Sequence, residues 1–139
     1  DNPATLKQLN WDFQRGDIVI FDFENIVLVK RIIAKEGDTI MIKNGDVYVN
    51  NKKLTEEYLP ASLKTYLPQA GIRSLEEGVD KTVPAGTFFM LGDNRPNSKD
   101  SRFAEVGFIP RTKIKGVVFF RFWPPDKFGY ISRGVYQEQ

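Results

Sequence analysis

Apolar and polar residues alternate with a period of two along much of this chain, which is the pattern of β-strands. The alternation predicts strands rich in β-branched and aromatic residues at Asp17–Phe23, Asn25–Ala34 and Asp38–Lys43. Asn44-Gly45 predicts a tight hairpin turn, because both residue types accept a positive φ, and the chain then returns through Asp46–Asn50.

The second half of the chain continues this pattern after one interruption. Proline and glycine residues punctuate a polar stretch at 59–81, which is interpreted as an inserted excursion within a single domain spanning 1–139. Lys81–Leu91 contains another strand after a Pro-Ala-Gly turn, and Lys113–Trp123 is a long strand that ends at two prolines. Many short strands with regular turns predict a mostly β fold, an antiparallel β-barrel or a pair of packed sheets.

Composition restricts the chemistry that such a fold could carry. The 139 residues include 20 basic and 18 acidic side chains, and the near balance argues against a nucleic-acid partner. The chain has no cysteine and no histidine, which excludes disulfides, cysteine nucleophiles and Ser-His-Asp triads. Acid–base catalysis would therefore fall to Lys, Asp, Glu or Tyr.

One predicted strand carries two cations between apolar residues. Alternation places Ile26, Leu28 and Lys30 on one face, and Arg31 on the other. A desolvated lysine can become a neutral amine and act as a general base, whereas arginine stays protonated. The alternative is that Lys30 extends to solvent from an edge strand.

Gly92–Arg102, with the sequence GDNRPNSKDSR, is long and polar for a connection in a small β domain. Its hydroxyl, carboxylate and guanidinium groups could orient one another and brace an active site. A metal-binding loop is an alternative, although the spacing misses the calcium-hand pattern. A solvated loop of Asx-turns is another.

Together, these two segments resemble the type I signal peptidases, a family of Ser/Lys serine proteases. The lysine strand followed by Gly37-Asp38 resembles one motif of that family, and the GDN…SKDSR loop resembles another. Weaker agreements lie between and around these motifs, and all the matches together run in the family's order and cover roughly residues 15–58 and 82–131.

The resemblance implies a role for each matching position. Lys30 would be the general base, and Ser98 would hydrogen-bond the lysine and aim its amine. The supporting residues would be Asp93, Asn94, Asp100 and Arg102. The substrate would lie extended beside the lysine strand, in contact with Ile26 and Leu28, and present an Ala-x-Ala cleavage site. No metal or organic cofactor is implied.

The nucleophilic serine of the family has no clear counterpart in this sequence. If Thr5-Leu6 ends the family's serine box, Asp1 occupies the serine position. If Leu6 through Trp11 match the strand after that box, the serine lies upstream of this chain. The short spacing between Asp1 and Lys30 favours the second alignment.

The resemblance implies an endopeptidase that removes signal peptides from exported preproteins. It would act at the extracytoplasmic face of the bacterial cytoplasmic membrane, anchored by an N-terminal segment absent from this chain. Trp123 and Phe128 are candidates for contact with the membrane surface. The alternatives are an inactive relative used in pilus assembly or binding, a self-cleaving repressor domain, and a β-barrel binding module.

Overall fold

The computed structural model describes residues 12–118 and the backbone of Val135 and Tyr136. Most of the regular structure in this part of the chain is β, and the two helices are 3-10 turns of three residues each. The elements are β1 (Ile18–Phe23), β2 (Ile26–Lys35), β3 (Thr39–Lys43), β4 (Asp46–Val49), β5 (Lys52–Thr55), β6 (Lys81–Thr82), β7 (Thr87–Leu91), η1 (Arg95–Asn97), β8 (Ile109–Pro110), η2 (Arg111–Lys113), β9 (Ile114–Val117) and β10 (Val135–Tyr136).

The strands form two sheets of five. The first has the order β8-β7-β2-β1-β9 and the second the order β10-β5-β4-β3-β6. Each pairing recorded among these strands is antiparallel. The prediction of a mostly β protein built from antiparallel packed sheets is confirmed.

The predicted hairpin turn lies between β3 and β4. Asn44 and Gly45 have φ angles of 52° and 80°, the left-handed conformation that the Asn-Gly pair predicts. A side chain at position 45 would also meet Cβ of Lys64 at 2.8 Å. Glycine is therefore required there both for the turn and for the close approach of the segment around Lys64.

β2 lies at the centre of the first sheet, and its second half is buried on both faces. Ile32 belongs to an apolar cluster with residues of β1 and β7, such as Phe21 and Met90. Ile33 belongs to a second cluster, which includes Ile40 and other residues of the second sheet. Full burial of an isoleucine contributes about 1.5–3 kcal/mol relative to exposure, so these contacts hold this half of the strand firmly.

The first half of β2 is exposed, in contrast to the second half. Ile26, Val27 and Val29 have relative exposures of 55%, 51% and 52%. The pairing with β7 covers Arg31–Lys35. Among the described residues, no strand pairs with Ile26–Lys30 on that side, so this edge is open.

The segment after β5 packs against the second sheet. Thr65 N donates to Gly45 O at 2.8 Å, and Gly78 N donates to Ile42 O at 2.9 Å. Leu75 is 1% exposed and joins the cluster that contains Ile33. Lys81 begins β6, and the description of 59–81 as an excursion within one domain stays a prediction.

Some sequence predictions concern residues outside the described part of the chain. These are the end of the Lys113–Trp123 strand, of which Ile114–Val117 is observed, and the Trp123 and Phe128 membrane contacts. Within the described residues, no helix has the length and hydrophobicity needed to cross a membrane.

Candidate active site

Lys30 lies on β2 where the strand passes from its exposed half to its buried half. The strand pairs Lys30 with Val19 of β1, and the side chain is half-buried. The Nζ atom donates a hydrogen bond to Ser98 Oγ at 3.0 Å. Burial lowers the pKa of Lys30 from its ordinary value; the nearby Asp100 opposes this shift, and Arg102 adds to it.

Ser98 follows η1 and links the lysine to a buried carboxylate. Its hydroxyl donates to Asp100 Oδ2 at 2.8 Å while it accepts from Lys30. The single hydroxyl hydrogen is thereby used toward Asp100. A neutral Lys30 amine in this arrangement keeps its lone pair available to accept a proton from another group.

Asp100 and Arg102 form a buried ion pair within the loop. Asp100 is fully buried, and it accepts from Arg102 Nε at 2.8 Å and from Nη2 at 2.9 Å. It also accepts from Gly92 N at 3.1 Å. Because the guanidinium neutralises the carboxylate in a site shielded from water, the two ends of the loop are held together.

Gly92 provides the space in which Ser98 and Lys30 meet. A Cβ atom at this position would lie 2.1 Å from Ser98 Oγ, 2.6 Å from Ser98 Cβ and 3.2 Å from Lys30 Nζ. No side chain fits at these distances without a shift of the loop. The glycine is therefore a steric requirement of the site.

Asp93 contacts the neighbour of the lysine rather than the lysine itself. Arg31, whose side chain is 1% exposed, donates to Asp93 from Nε at 3.0 Å and from Nη2 at 2.8 Å. Asn94 is exposed and lies at the N-cap of η1 without a side-chain capping bond. The structure thus brings Asp93 to β2 through Arg31, and Asn94 faces solvent.

Ile26 and Leu28 lie on the open half of β2, four and two residues before Lys30 respectively. Ile26 is exposed and Leu28 is partly buried against the apolar cluster around Phe21. An extended peptide could pair with the free backbone groups of this edge and contact both side chains. Their role in substrate binding stays a prediction.

The structure bears on the two alternative interpretations of the Gly92–Arg102 loop, a metal-binding loop and a solvated loop of Asx-turns. Asp93 and Asp100, the carboxylates that a metal loop would use, each bind a guanidinium group. The loop also contains the buried residues Arg95, Ser101 and Arg102, which a solvated turn would expose. Its polar groups mainly form the hydrogen bonds and ion pairs that hold the loop in place.

Comparison with known proteins places this geometry in a family. The sequence profile described as "Signal peptidase, peptidase S26" matches residues 5–123. The chain belongs to the signal peptidase family. The strand containing Lys30 and the loop containing Ser98 both lie within the matched range.

Several curated signal peptidases are similar to this chain. Signal peptidase I of Bacillus amyloliquefaciens is 41% identical over 120 residues, which are 86% of this chain and 63% of that protein. Signal peptidase I S of Bacillus subtilis (strain 168) is 40% identical over 114 residues, or 81% of this chain and 61% of that protein. This chain therefore spans less than two thirds of the length of these relatives.

A solved structure shares the fold. The crystal structure of a signal peptidase I from Enterococcus faecalis V583 has 30% sequence identity and a TM-score of 0.59. The match covers 77% of this chain and 97% of that one. The curled antiparallel sheets are thus those of a signal peptidase.

Sequence reasoning missed several residues around the loop. It did not foresee the Arg31–Asp93 pair, the steric role of Gly92, or the burial of Arg95 beside Glu56 and Tyr58. The second cation of β2 was the available signal for Arg31, because a buried arginine needs an acidic partner. Nothing in the local sequence pairs Arg95 with Glu56, since 39 positions separate them.

Proposed function

We propose that this protein is a serine endopeptidase that removes signal peptides from exported preproteins, with Lys30 as its general base. The observation that carries the proposal is the hydrogen bond of 3.0 Å between Lys30 Nζ and Ser98 Oγ at the end of an open strand edge. Membership of the signal peptidase family supports the reaction class.

The electrostatics of the site support the role of Lys30. Burial lowers its pKa, so a larger fraction of the amine is neutral near pH 7 than for an exposed lysine. Ser98 accepts from the amine and donates to Asp100, which fixes the direction of Nζ. A fixed neutral amine can take a proton from a serine hydroxyl, pass it to the leaving amine of the substrate, and later take a proton from the water that hydrolyses the acyl-enzyme.

The open edge of β2 supports a mode of substrate binding. A preprotein segment added beside Ile26–Lys30 would form main-chain hydrogen bonds and arrive at the lysine amine. Small residues of an Ala-x-Ala site would allow the peptide backbone to approach this edge closely. We propose that the substrates are preproteins with such sites.

The nucleophilic serine and the membrane anchor are the parts of the proposal that do not rest on the residues described by the structure. Residues 1–11 lie outside the described part of the chain, so both alignments, Asp1 at the serine position and the serine upstream of this chain, stay predictions. We propose an extracytoplasmic site of action at the membrane, on the basis of membership of the signal peptidase family.

A cleavage assay with the full-length protein tests the proposal. A preprotein with Ala-x-Ala before its cleavage site is incubated with wild type, with Lys30→Ala, and with Lys53→Ala as a matched control away from the site. The proposal predicts cleavage by wild type and by Lys53→Ala, and its loss in Lys30→Ala. Absence of cleavage by the folded wild type would contradict it and favour an inactive assembly or binding factor.

A further inference from the structure

A buried ion pair links the Gly92–Arg102 loop to Glu56, a residue that the sequence analysis did not assign to the site. Arg95, in η1, has a fully buried side chain that binds Glu56, whose side chain is 11% exposed. Arg95 Nη1 donates to Glu56 Oε1 at 2.9 Å, and Nη2 donates to Oε2 of the same carboxylate. The pair joins the loop to the residue that follows β5.

The Arg95 guanidinium also binds Gly92, whose lack of a side chain leaves room for Ser98. Arg95 Nε donates to Gly92 O at 2.7 Å. The backbone carbonyl of Arg95 accepts from Arg102 Nη2 at 2.8 Å, so Arg95 also contacts the Asp100–Arg102 ion pair. Because a Cβ at Gly92 would collide with Ser98, the position of Gly92 determines where the Ser98 hydroxyl can lie.

Tyr58 connects this ion pair to the lysine strand. Its hydroxyl donates to Glu56 Oε2, the oxygen that also accepts from Arg95. Its ring lies against the Arg31 guanidinium, with 3.6 Å between the guanidinium carbon and the ring centroid. Arg31 adjoins Lys30 in β2 and binds Asp93. Burial and the adjacent Glu56 carboxylate raise the pKa of Tyr58, which therefore remains a hydrogen-bond donor.

We propose that Glu56 and Tyr58 are positioning residues, which fix the Lys30 amine against Ser98 by holding Arg95 on the loop and Arg31 on the strand. The effect on catalysis rests on the proposed peptidase function. The geometric part of the proposal, the positions of Lys30 Nζ and Ser98 Oγ, does not depend on that function. A buried ion pair by itself is weak evidence that a protein is stabilised. Here Arg95 also contacts Gly92 and Glu56 also contacts Tyr58, and each of these two residues adjoins the site.

Two single substitutions and a matched control test the proposal in the full-length protein. Glu56→Gln removes the charge that binds Arg95, and Tyr58→Phe keeps the ring on Arg31 but removes the hydroxyl. Glu57→Gln removes the same charge from the adjacent, exposed position. A displacement of the pair by 1 Å costs about 10²-fold in rate, so kcat should fall by about that factor in Glu56→Gln. We expect a smaller fall in Tyr58→Phe, little change in KM, and wild-type kinetics in Glu57→Gln.

A double variant separates positioning from folding. Glu56→Gln with Arg95→Met leaves no unpaired buried charge, so thermal unfolding should return toward the wild-type temperature. Methionine cannot make the bond that Arg95 Nε donates to Gly92 O, so kcat should remain low. Recovery of kcat together with stability would mean that the pair acts only on folding, and would overturn the proposal.

A titration of the lysine side chains by NMR gives a readout that does not depend on cleavage. Lys30 should titrate below an ordinary lysine in wild type and shift upward in Glu56→Gln, because a loosened amine regains water. Asp100 and Arg102 are unchanged in both proteins and remain the charged groups that act on it. A folded Glu56→Gln protein with wild-type titration would overturn the proposal. Failure of wild type to cleave would instead refute the proposed function and leave this titration to decide the positioning.

Discussion

The substitution Gly92→Ala adds one methyl group at the point where the two halves of the site meet. The new Cβ would lie 2.1 Å from Ser98 Oγ and 2.6 Å from Ser98 Cβ. Rotation of the Ser98 side chain can move the hydroxyl but not Cβ, so the loop itself must shift. Relief of the Cβ contact to 3.0 Å, the limit for real Cβ contacts, needs a loop shift of about 0.4 Å, and a hydroxyl that keeps its rotamer toward Lys30 must move by about 0.9 Å.

That displacement exceeds what the Lys30–Ser98 hydrogen bond can absorb. The bond is 3.0 Å long, and hydrogen bonds weaken beyond about 3.2–3.5 Å. A misplacement of about 1 Å costs about 10²-fold in rate, which corresponds to about 2.7 kcal/mol of transition-state stabilisation. The cost to the free energy of unfolding should be about 1–3 kcal/mol, the usual range for overpacking.

The assay compares preprotein cleavage and thermal unfolding in the full-length wild type, Gly92→Ala and Gly116→Ala. Gly116 is a matched control, because a Cβ there meets no described atom within 4 Å. We expect a large loss of kcat in Gly92→Ala with cooperative unfolding retained, and wild-type behaviour in Gly116→Ala. Wild-type kcat in Gly92→Ala would refute the reasoning that this glycine sets the geometry of the pair.

Three further predictions concern neighbouring residues. Ser98→Ala should lower kcat/KM by about 10²-fold, the lower end for a disturbed general base, with the fold intact by circular dichroism; unchanged kcat/KM would contradict the role of the hydroxyl. Asp100→Asn should destabilise the protein by about 3–5 kcal/mol in chemical denaturation, because Arg102 would keep an unpaired buried charge; a stability equal to wild type would show that the pair is not needed. Burial alone would raise the pKa of Asp38, but hydrogen bonds from Arg15, Lys35 N and Asn50 outweigh it and lower that pKa. Its stabilisation should therefore be present above the unfolded pKa of about 3.9 and be lost as pH falls through the lower folded value, so Asp38→Asn should cost about 1–3 kcal/mol at pH 7 and progressively less in acid; a pH-independent difference would refute this assignment.

Most of the strands could be predicted from the sequence because their pattern is local. β1, β2, β3 and β4 all lie where alternation placed them, and the Asn44-Gly45 turn has the expected positive φ angles. β5 was missed because Lys52 and Lys53 hide its short apolar signal. The strand predicted within Lys81–Leu91 after the Pro-Ala-Gly turn is β7, and the two-residue strand β6 before that turn was not predicted.

The site was predictable in part, for the same physical reason. The spacing of Ser98, Asp100 and Arg102 within one loop determines that these groups can meet, and the structure brings them together with Lys30. Alternation alone could not decide which cation of β2 is buried, since both faces are apolar. The structure buries Arg31 against Asp93 and leaves Lys30 half-buried. That choice depends on a contact between residues 62 positions apart, which no local pattern encodes.

The central claim is that Lys30 acts as a neutral base, and its titration in the active protein tests this most directly. The measurement follows the Lys30 amine by NMR across pH and compares its pKa with the acid limb of kcat/KM for preprotein cleavage. The account predicts one shared value, below that of an ordinary lysine, with cleavage rising as the amine loses its proton. A Lys30 that titrates like an exposed lysine while the enzyme cleaves at neutral pH with a different limb would contradict it.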